Sequence, residues 1–189
     1  MTDEEIIQAC AHIPSSVYEP EQRMWYRVLS PLPDSPVIVD LGTGHGKSAA
    51  SLALSCPQGH VYTFDPGEPY INAGCNEEQY EAETNKFMED AGAKNVSFTR
   101  DSSLTVPWDK DIDVLNIDSN HTYEHTRSEI LRWIPFVKQG GHAFFHDYDH
   151  PQAPGVRQAI DELIPSTFNM ELVEVTDAGA VKCAHFIKS

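Results

Sequence analysis

The chain has 189 residues, and 29 aspartates and glutamates against 13 lysines and arginines give it a net charge of −16 at neutral pH. Its length is typical of a single domain, and a strongly acidic chain without a basic stripe argues against nucleic acid as a partner. The four cysteines form no CxxC pair, the amino terminus is acidic, and no apolar run approaches the roughly 18 residues of a membrane span. We therefore expect a cytoplasmic protein that does not associate with membranes.

Residues 1–36 are predicted to form a helical segment that packs on the remainder of the chain. Thr2 and Glu5 have the spacing of a capping box at the start of a helix. A second helix is expected from about Glu21 to Leu29, and the prolines that follow it end this helix because proline disrupts helical hydrogen bonding.

From residue 37 onward, strand patterns alternate with helix patterns. Strands are predicted at Val37–Asp40, His60–Asp65, Val96–Arg100, Ile112–Asp118 and His142–His146. Helices are predicted at Lys47–Ser55, Glu77–Gly92, Thr122–Pro135 and Gly155–Ile164. This alternation is typical of a parallel, doubly wound α/β sheet, and residues 37–189 are predicted to form one such domain.

Two features depart from the simple alternation. The chain ends in two β-rich runs, Met170–Thr176 and Ala180–Lys188, joined by turn residues, so the last strand is expected to run antiparallel to its neighbours. Pro66–Asn76 is polar and rich in glycine and proline, and we expect a loop without helix or strand there. Such a loop lies over the binding crevice of an open α/β sheet, which would place Tyr70 and Ile71 near its mouth.

The segment Val37–Ser48 is the most informative motif. A hydrophobic run ends at Asp40, and three glycines follow at alternate positions before a helix pattern begins. Glycine permits a positive φ angle and close approach of the backbone to a ligand, and a helix start presents free N–H groups. The motif therefore predicts a site for a nucleotide-like ligand.

The motif allows four interpretations. The ending Gly46-Lys47-Ser48 is typical of a phosphate loop, but Leu41 stands where a P-loop-like NTPase needs its first glycine. A dinucleotide-binding fingerprint would need its third glycine at Lys47. A glycine-rich turn without any ligand is the third interpretation. The fourth is the D/E-x-G-x-G-x-G loop, which every fixed position matches: Asp40, Gly42, Gly44 and Gly46.

That loop is characteristic of class I S-adenosylmethionine (SAM)-dependent methyltransferases, and the order of elements resembles this family from Val37 to Ser189. The resemblance implies SAM as the cofactor and a single-domain Rossmann-like sheet of seven strands in the order 3-2-1-4-5-7-6, with strand 7 antiparallel. It implies that Asp65 binds the ribose hydroxyls and that the Asp101-Ser102 turn contacts the adenine. It also implies that the glycine loop supplies the remaining cofactor contacts: Asp40, Gly42, Gly44 and Gly46.

The second half of the chain is similar to a branch of that superfamily that includes metal-dependent sugar O-methyltransferases and cephalosporin-hydroxylase-like proteins. The similarity is carried by Asp118-x-x-His121-x-Tyr123 and by His146-Asp147-Tyr148. It implies Asp118, His146 and Asp147 as metal ligands, and His121 as the general base acting beside Asp118. Asp118 and the His146-Asp147 pair end adjacent strands in the usual order, so their side chains can converge.

A metal would assist this chemistry because a hydroxyl must lose its proton, or have its developing alkoxide stabilised, to attack the sulfonium methyl. The best-matched sugar methyltransferases carry an acidic residue where this chain has His146. An imidazole ligand weakens the case for Mg²⁺ and leaves Mn²⁺, Fe²⁺ or no metal as alternatives.

The leading hypothesis is thus a SAM-dependent O-methyltransferase acting on a small hydroxylated, sugar-like acceptor with help from a divalent cation. The alternative is a catalytically weak module that binds SAM or another nucleoside. Its motivation is the short chain, which leaves only the first helices and Pro66–Asn76 to build an acceptor pocket. A homo-oligomer, in which a neighbouring subunit completes that pocket, is the third expectation.

Overall fold

The computed structural model describes residues 1–179 and 181–189. The strands are β1 (Val37–Leu41), β2 (His60–Phe64), β3 (Val96–Thr99), β4 (Ile112–Ile117), β5 (Val137–Phe145), β6 (Met170–Val175) and β7 (Ala184–Lys188). They form one seven-stranded sheet in the order β3-β2-β1-β4-β5-β7-β6. Strands β1 to β5 pair in parallel, whereas β7 runs antiparallel to both β5 and β6. The predicted fold class, strand order and antiparallel strand are confirmed.

Helices cover both faces of this sheet. They are α1 (Asp3–Cys10), α2 (Glu19–Leu29), α3 (Lys47–Ser55), α4 (Glu68–Asn72), α5 (Glu77–Asp90), α6 (Tyr123–Trp133) and α7 (Pro154–Thr167). One hydrophobic cluster joins the sheet to α6 and α7, and the other joins it to α1, α2, α3 and α5. Strand β1 serves both clusters because successive side chains point to opposite faces: Ile38 packs in one cluster, and Val39 in the other.

The amino-terminal helices pack on the sheet domain as part of its core. The capping box of Thr2 and Glu5 is present at the start of α1. Helix α2 places Trp25, which is fully buried, against Phe144 of β5, with the two ring centroids 6.5 Å apart. The division of the chain at residue 36 stays a prediction. None of the helices in the described part of the chain is long and apolar enough to cross a membrane.

Two local predictions were wrong. Pro66–Asn76 contains helix α4, which begins after Gly67 in a left-handed conformation and tolerates Pro69 because its first turn needs no N–H donor there. Strand β5 begins at Val137 rather than His142: Val137 already pairs with Ile112 of β4, and an irregularity in the register separates this pair from the regular pairing that starts at His142. The three residues that follow Val137 are exposed, so the segment lacks the apolar pattern of a buried strand. The predicted start of the last strand, Ala180, lies outside the described residues.

A buried pair of histidines connects β5 to β7. His142 Nδ1 lies 2.9 Å from His185 Nε2, and His185 is only 2% exposed. Burial lowers the pKa of His185 from 6.5 to about 4 and also lowers the pKa of His142. The pKa of a histidine in the unfolded chain is near 6.5. Below this pH the unfolded chain binds a proton at His185 that the folded chain does not bind, so protonation favours the unfolded state. This contribution to stability is complete above pH 6.5 and is lost progressively towards pH 4.

We expect His185 to lower the free energy of unfolding by about 2 kcal/mol when the pH falls from 7 to 5. Denaturant unfolding at both pH values measures this change. The variant His185→Gln should lose that part of the pH dependence, whereas His12→Gln, which alters an exposed histidine, should retain it. The same pH dependence in His185→Gln as in the unmodified protein would contradict the assignment.

Candidate functional site

A cavity of about 300 Å³ opens at the carboxyl edge of the sheet, where the strand order reverses between β1 and β4. This is where open α/β sheets bind their ligands. Its wall comes from the segments that follow β1, β2, β3 and β4, from the α1–α2 connection and from α4. The lining residues used below are Gly42, Gly44, Asp65, Tyr70, Ser102, Ser103, Asp118, Ser119, His121 and His125.

The glycine loop after β1 forms one wall of the cavity. Gly42, Gly44 and Gly46 all have positive φ angles, of 98°, 51° and 91°. A Cβ atom on Gly42 would lie 2.0 Å from the carbonyl oxygen of Asp118, so only glycine fits there. Gly42 and Gly44 line the cavity, whereas Gly46 is the N-cap of α3 and does not.

Asp65 lies directly after β2 in the cavity wall. Its Oδ2 accepts the N–H of Gly44 at 2.9 Å, and its Oδ1 accepts the N–H of Gly67 at 2.7 Å. Burial raises the pKa of this carboxyl group. Each oxygen keeps a further lone pair, so Asp65 can accept hydrogen bonds from a ligand that carries two neighbouring hydroxyl groups.

Asp40 lies beneath the glycine loop and does not line the cavity. It is fully buried, and its Oδ2 accepts hydrogen bonds from Ser48 Oγ at 2.9 Å and Thr63 Oγ1 at 2.8 Å. Its Oδ1 accepts from Asn116 Nδ2 at 2.8 Å. Burial raises the pKa of Asp40 to about 6. Asp40, which was predicted to contact the cofactor, therefore links β1 to β2, β4 and α3 through hydrogen bonds beneath the loop.

Asp40→Ala should lower the free energy of unfolding by about 3 kcal/mol, because three buried donors lose their acceptor. The melting temperature should fall by about 6–12 °C. Asp40→Asn should cost less, since its amide can both accept from Asn116 and donate to a hydroxyl oxygen. Thermal unfolding compares the two variants, and an unchanged melting temperature in Asp40→Ala would contradict the supporting role.

The turn after β3 places only one of its two predicted residues at the cavity. Ser102 lines the cavity, and so does its neighbour Ser103. Asp101 instead accepts hydrogen bonds within its own turn, from the N–H of Ser102 at 2.7 Å and from Thr105 Oγ1 at 3.3 Å. Asp101 therefore does not line the described cavity, because this carboxylate caps its own turn, and its contact with a ligand stays a prediction.

Four potential metal ligands converge where β4 and β5 end. One ligand atom from each of Asp118, His121, His146 and Asp147 lies within 4.8 Å of the other three. His146 Nδ1 is 3.0 Å from Asp118 Oδ1, and His121 Nδ1 is 3.2 Å from Asp147 Oδ2. The predicted ligand set and the predicted base are thus brought into one cluster, which borders the cavity through Asp118 and His121.

His146 is buried in a way that suits a metal ligand. It is 2% exposed, and neither ring nitrogen has a hydrogen bond of acceptable geometry within the described residues. On the far side of the ring, Nε2 lies 3.3 Å from Oε1 of Glu21, a fully buried residue of α2. Burial raises the pKa of Glu21 to about 7. A carboxylate behind a metal-binding histidine is a recurrent arrangement that orients the ring.

The donor set fits a divalent cation. Two carboxylates and two imidazoles provide mixed oxygen and nitrogen ligands, which suit Mn²⁺, Fe²⁺ or Zn²⁺ better than Mg²⁺. Asp147 adopts a left-handed conformation with a φ of 56°, which is uncommon for a residue with a side chain and concentrates at functional sites. The nearby Asp118 carboxylate raises the pKa of His121, whose side chain is 44% exposed.

Sequence reasoning missed several other residues at this site, among them Ser103 and Ser119 of the cavity wall. Glu21 was part of a predicted helix with no signal of its own, and His125 carried no motif although it lines the cavity. Of the two loop residues expected near the mouth, Tyr70 lines the cavity, and its ring lies 4.5 Å from that of His45.

Comparison with known proteins shows which families and solved structures share this architecture. Residues 39–148 match a family model described as a methyltransferase domain. A SAM-dependent O-methyltransferase from Thermotoga maritima has a TM-score of 0.70 at 16% identity, with 97% of this chain and 71% of that chain covered. No curated protein matches the chain.

Two further solved structures share the fold over most of both chains. A candidate methyltransferase from Streptococcus mutans, in complex with S-adenosylhomocysteine (SAH), has a TM-score of 0.65 at 15% identity, with 92% of this chain and 99% of that chain covered. An rRNA methylase from Streptococcus thermophilus has a TM-score of 0.62 at 17% identity, with the same two shares covered.

Proposed function

Because the chain belongs to the methyltransferase-domain family, we propose that it is a SAM-dependent O-methyltransferase acting on a small hydroxylated, sugar-like acceptor. The observation that carries this function is the position of Asp65. Its carboxylate is fixed against the glycine loop by the N–H of Gly44, in the wall of a cavity that also borders the Asp118 and His121 cluster.

SAM would lie along the carboxyl edge of the sheet. Asp65 accepts the ribose hydroxyls, and such charge-assisted hydrogen bonds contribute roughly 1.5–3 kcal/mol each. Gly42 and Gly44 let the backbone approach the ligand closely, and Ser102 and Ser103 face the nucleobase. The sulfonium group then lies towards the mouth of the cluster, near His121.

His121 would act as the general base. In the transfer, the acceptor oxygen forms a bond to the methyl carbon, the bond from that carbon to sulfur breaks, and the hydroxyl proton moves to the His121 imidazole. Asp118 and Asp147 lie on either side of this ring and hold it at the mouth of the cluster. Asp118, His146 and Asp147 would hold a divalent cation, which supplies stabilisation of the developing alkoxide.

A small acceptor is favoured over nucleic acid by charge. The chain carries a net charge of −16, which repels a phosphate backbone. The likeness to an rRNA methylase concerns the fold. We also propose a cytoplasmic location, which is consistent with the four free cysteines. A second copy of the chain is proposed to complete the acceptor side of the cavity.

The test is methyl transfer from labelled SAM to a panel of sugars, other small alcohols and RNA, each with Mn²⁺, Mg²⁺ or a chelator. We expect transfer to a hydroxylated small molecule and faster transfer with a divalent cation. Transfer to RNA alone would overturn the acceptor class. Binding of SAM without transfer to any member of the panel would favour the catalytically weak binding module.

A further inference from the structure

A buried carboxylate lies behind the side of the cavity assigned to the nucleobase. Glu129 of α6 is fully buried and does not itself line the cavity. Its Oε1 accepts hydrogen bonds from Ser103 Oγ at 2.5 Å and from Ser119 Oγ at 2.7 Å. The same oxygen lies 3.3 Å from His125 Nε2. All three partners of Glu129 line the cavity.

These hydrogen bonds fix the direction of two hydroxyl groups. A serine hydroxyl has one hydrogen and two lone pairs. Ser103 and Ser119 both direct their hydrogen to Glu129, so on the cavity side their oxygens can only accept. Ser103 follows β3 and Ser119 follows β4, two strands that are separated in the sheet by β2 and β1. Their shared acceptor, Glu129 Oε1, brings the two hydroxyl oxygens together, and they present a pair of acceptors to a ligand.

The geometry points to Glu129 as a positioning residue that makes the site select a 6-amino purine over a 6-oxo purine; this rests on the proposed function. Adenine carries an amino group at position 6, which donates hydrogen bonds to the two serine oxygens. Hypoxanthine and guanine carry a carbonyl oxygen there, which would face two acceptors without a hydrogen between them. An unpaired buried acceptor costs binding energy, so the 6-oxo base is rejected.

The test compares SAH with S-inosylhomocysteine, its 6-oxo counterpart, by calorimetry. The unmodified protein should prefer SAH by about 10- to 100-fold. In Glu129→Gln, the amide can donate to one serine oxygen and free that hydroxyl hydrogen to point into the cavity, so the preference should fall to a few-fold. The exposed Glu124 on the same helix supplies the control: Glu124→Gln removes one charge and should keep the full preference.

Ser119→Ala and Ser103→Ala keep the inference testable if Glu129→Gln does not fold, which thermal unfolding reveals. Each should weaken binding of SAH but not of S-inosylhomocysteine, because each removes one acceptor. An unchanged preference in these variants would overturn the role of the serines and Glu129. Equal affinity for both ligands in the unmodified protein would overturn the inference and leave the proposed function standing, whereas no binding of either ligand would overturn the proposed function itself.

Discussion

Asp65→Ala should weaken SAH binding by about 100-fold, the largest effect on SAH affinity that we expect from a single cavity residue. The variant loses the acceptor for both ribose hydroxyls. It also leaves the N–H groups of Gly44 and Gly67 without the carboxylate that now holds them, so the glycine loop loses part of its fixed shape. Isothermal titration calorimetry measures the affinity directly.

Asp109→Ala is the matched control for this experiment, because it removes an exposed carboxylate that does not line the cavity. It should bind SAH as tightly as the unmodified protein. An Asp65→Ala protein that stays folded and keeps its SAH affinity would show that the ribose lies elsewhere.

Removal of the divalent cation should lower the rate of methyl transfer by about 10²- to 10⁴-fold, because the developing alkoxide then loses several kcal/mol of stabilisation. Asp118→Asn should produce a loss of similar size and should also abolish tight binding of Mn²⁺. Titration of the protein with Mn²⁺, followed by calorimetry, gives a measurement that does not depend on activity.

The control for the metal experiment is Asp149→Asn, which alters an exposed carboxylate close in sequence but outside the four-residue cluster. It should bind Mn²⁺ like the unmodified protein. Transfer that is equally fast in a chelator, together with no binding of Mn²⁺, would remove the metal from the mechanism and leave His121 as the sole means of activating the hydroxyl.

The sequence predicted well what depends on local pattern and strand order. The alternation of strands and helices determined the sheet, and the glycine spacing located the cavity wall at Gly42 and Gly44. Asp118 and His146 are distant in sequence, yet their convergence followed from the adjacency of the two strands that they end.

It predicted less well which way a strand-end carboxylate faces. Asp40, Asp65 and Asp101 all follow strand patterns, but only Asp65 lines the cavity. The Asp40 carboxylate faces the core because it accepts hydrogen bonds from three buried donors. The Asp101 carboxylate faces away from the cavity because it accepts the N–H of Ser102 within the same loop. These outcomes depend on packing partners that no local pattern contains.

Residues that act from behind the site could not be predicted at all. Glu21 reaches His146 only because α2 packs across the sheet, and Glu129 reaches Ser103 and Ser119 only because α6 lies beside two strand ends. A buried glutamate on a helix surface has the same sequence signature as a solvated one.

A crystal structure of the protein with SAH is the most direct test of the central claim that SAM binds in this cavity. The expected result has the ribose hydroxyls within hydrogen-bond distance of the Asp65 carboxylate and the amino group of adenine facing Ser103 and Ser119. SAH bound at another place, or a ribose that makes no contact with Asp65, would contradict it.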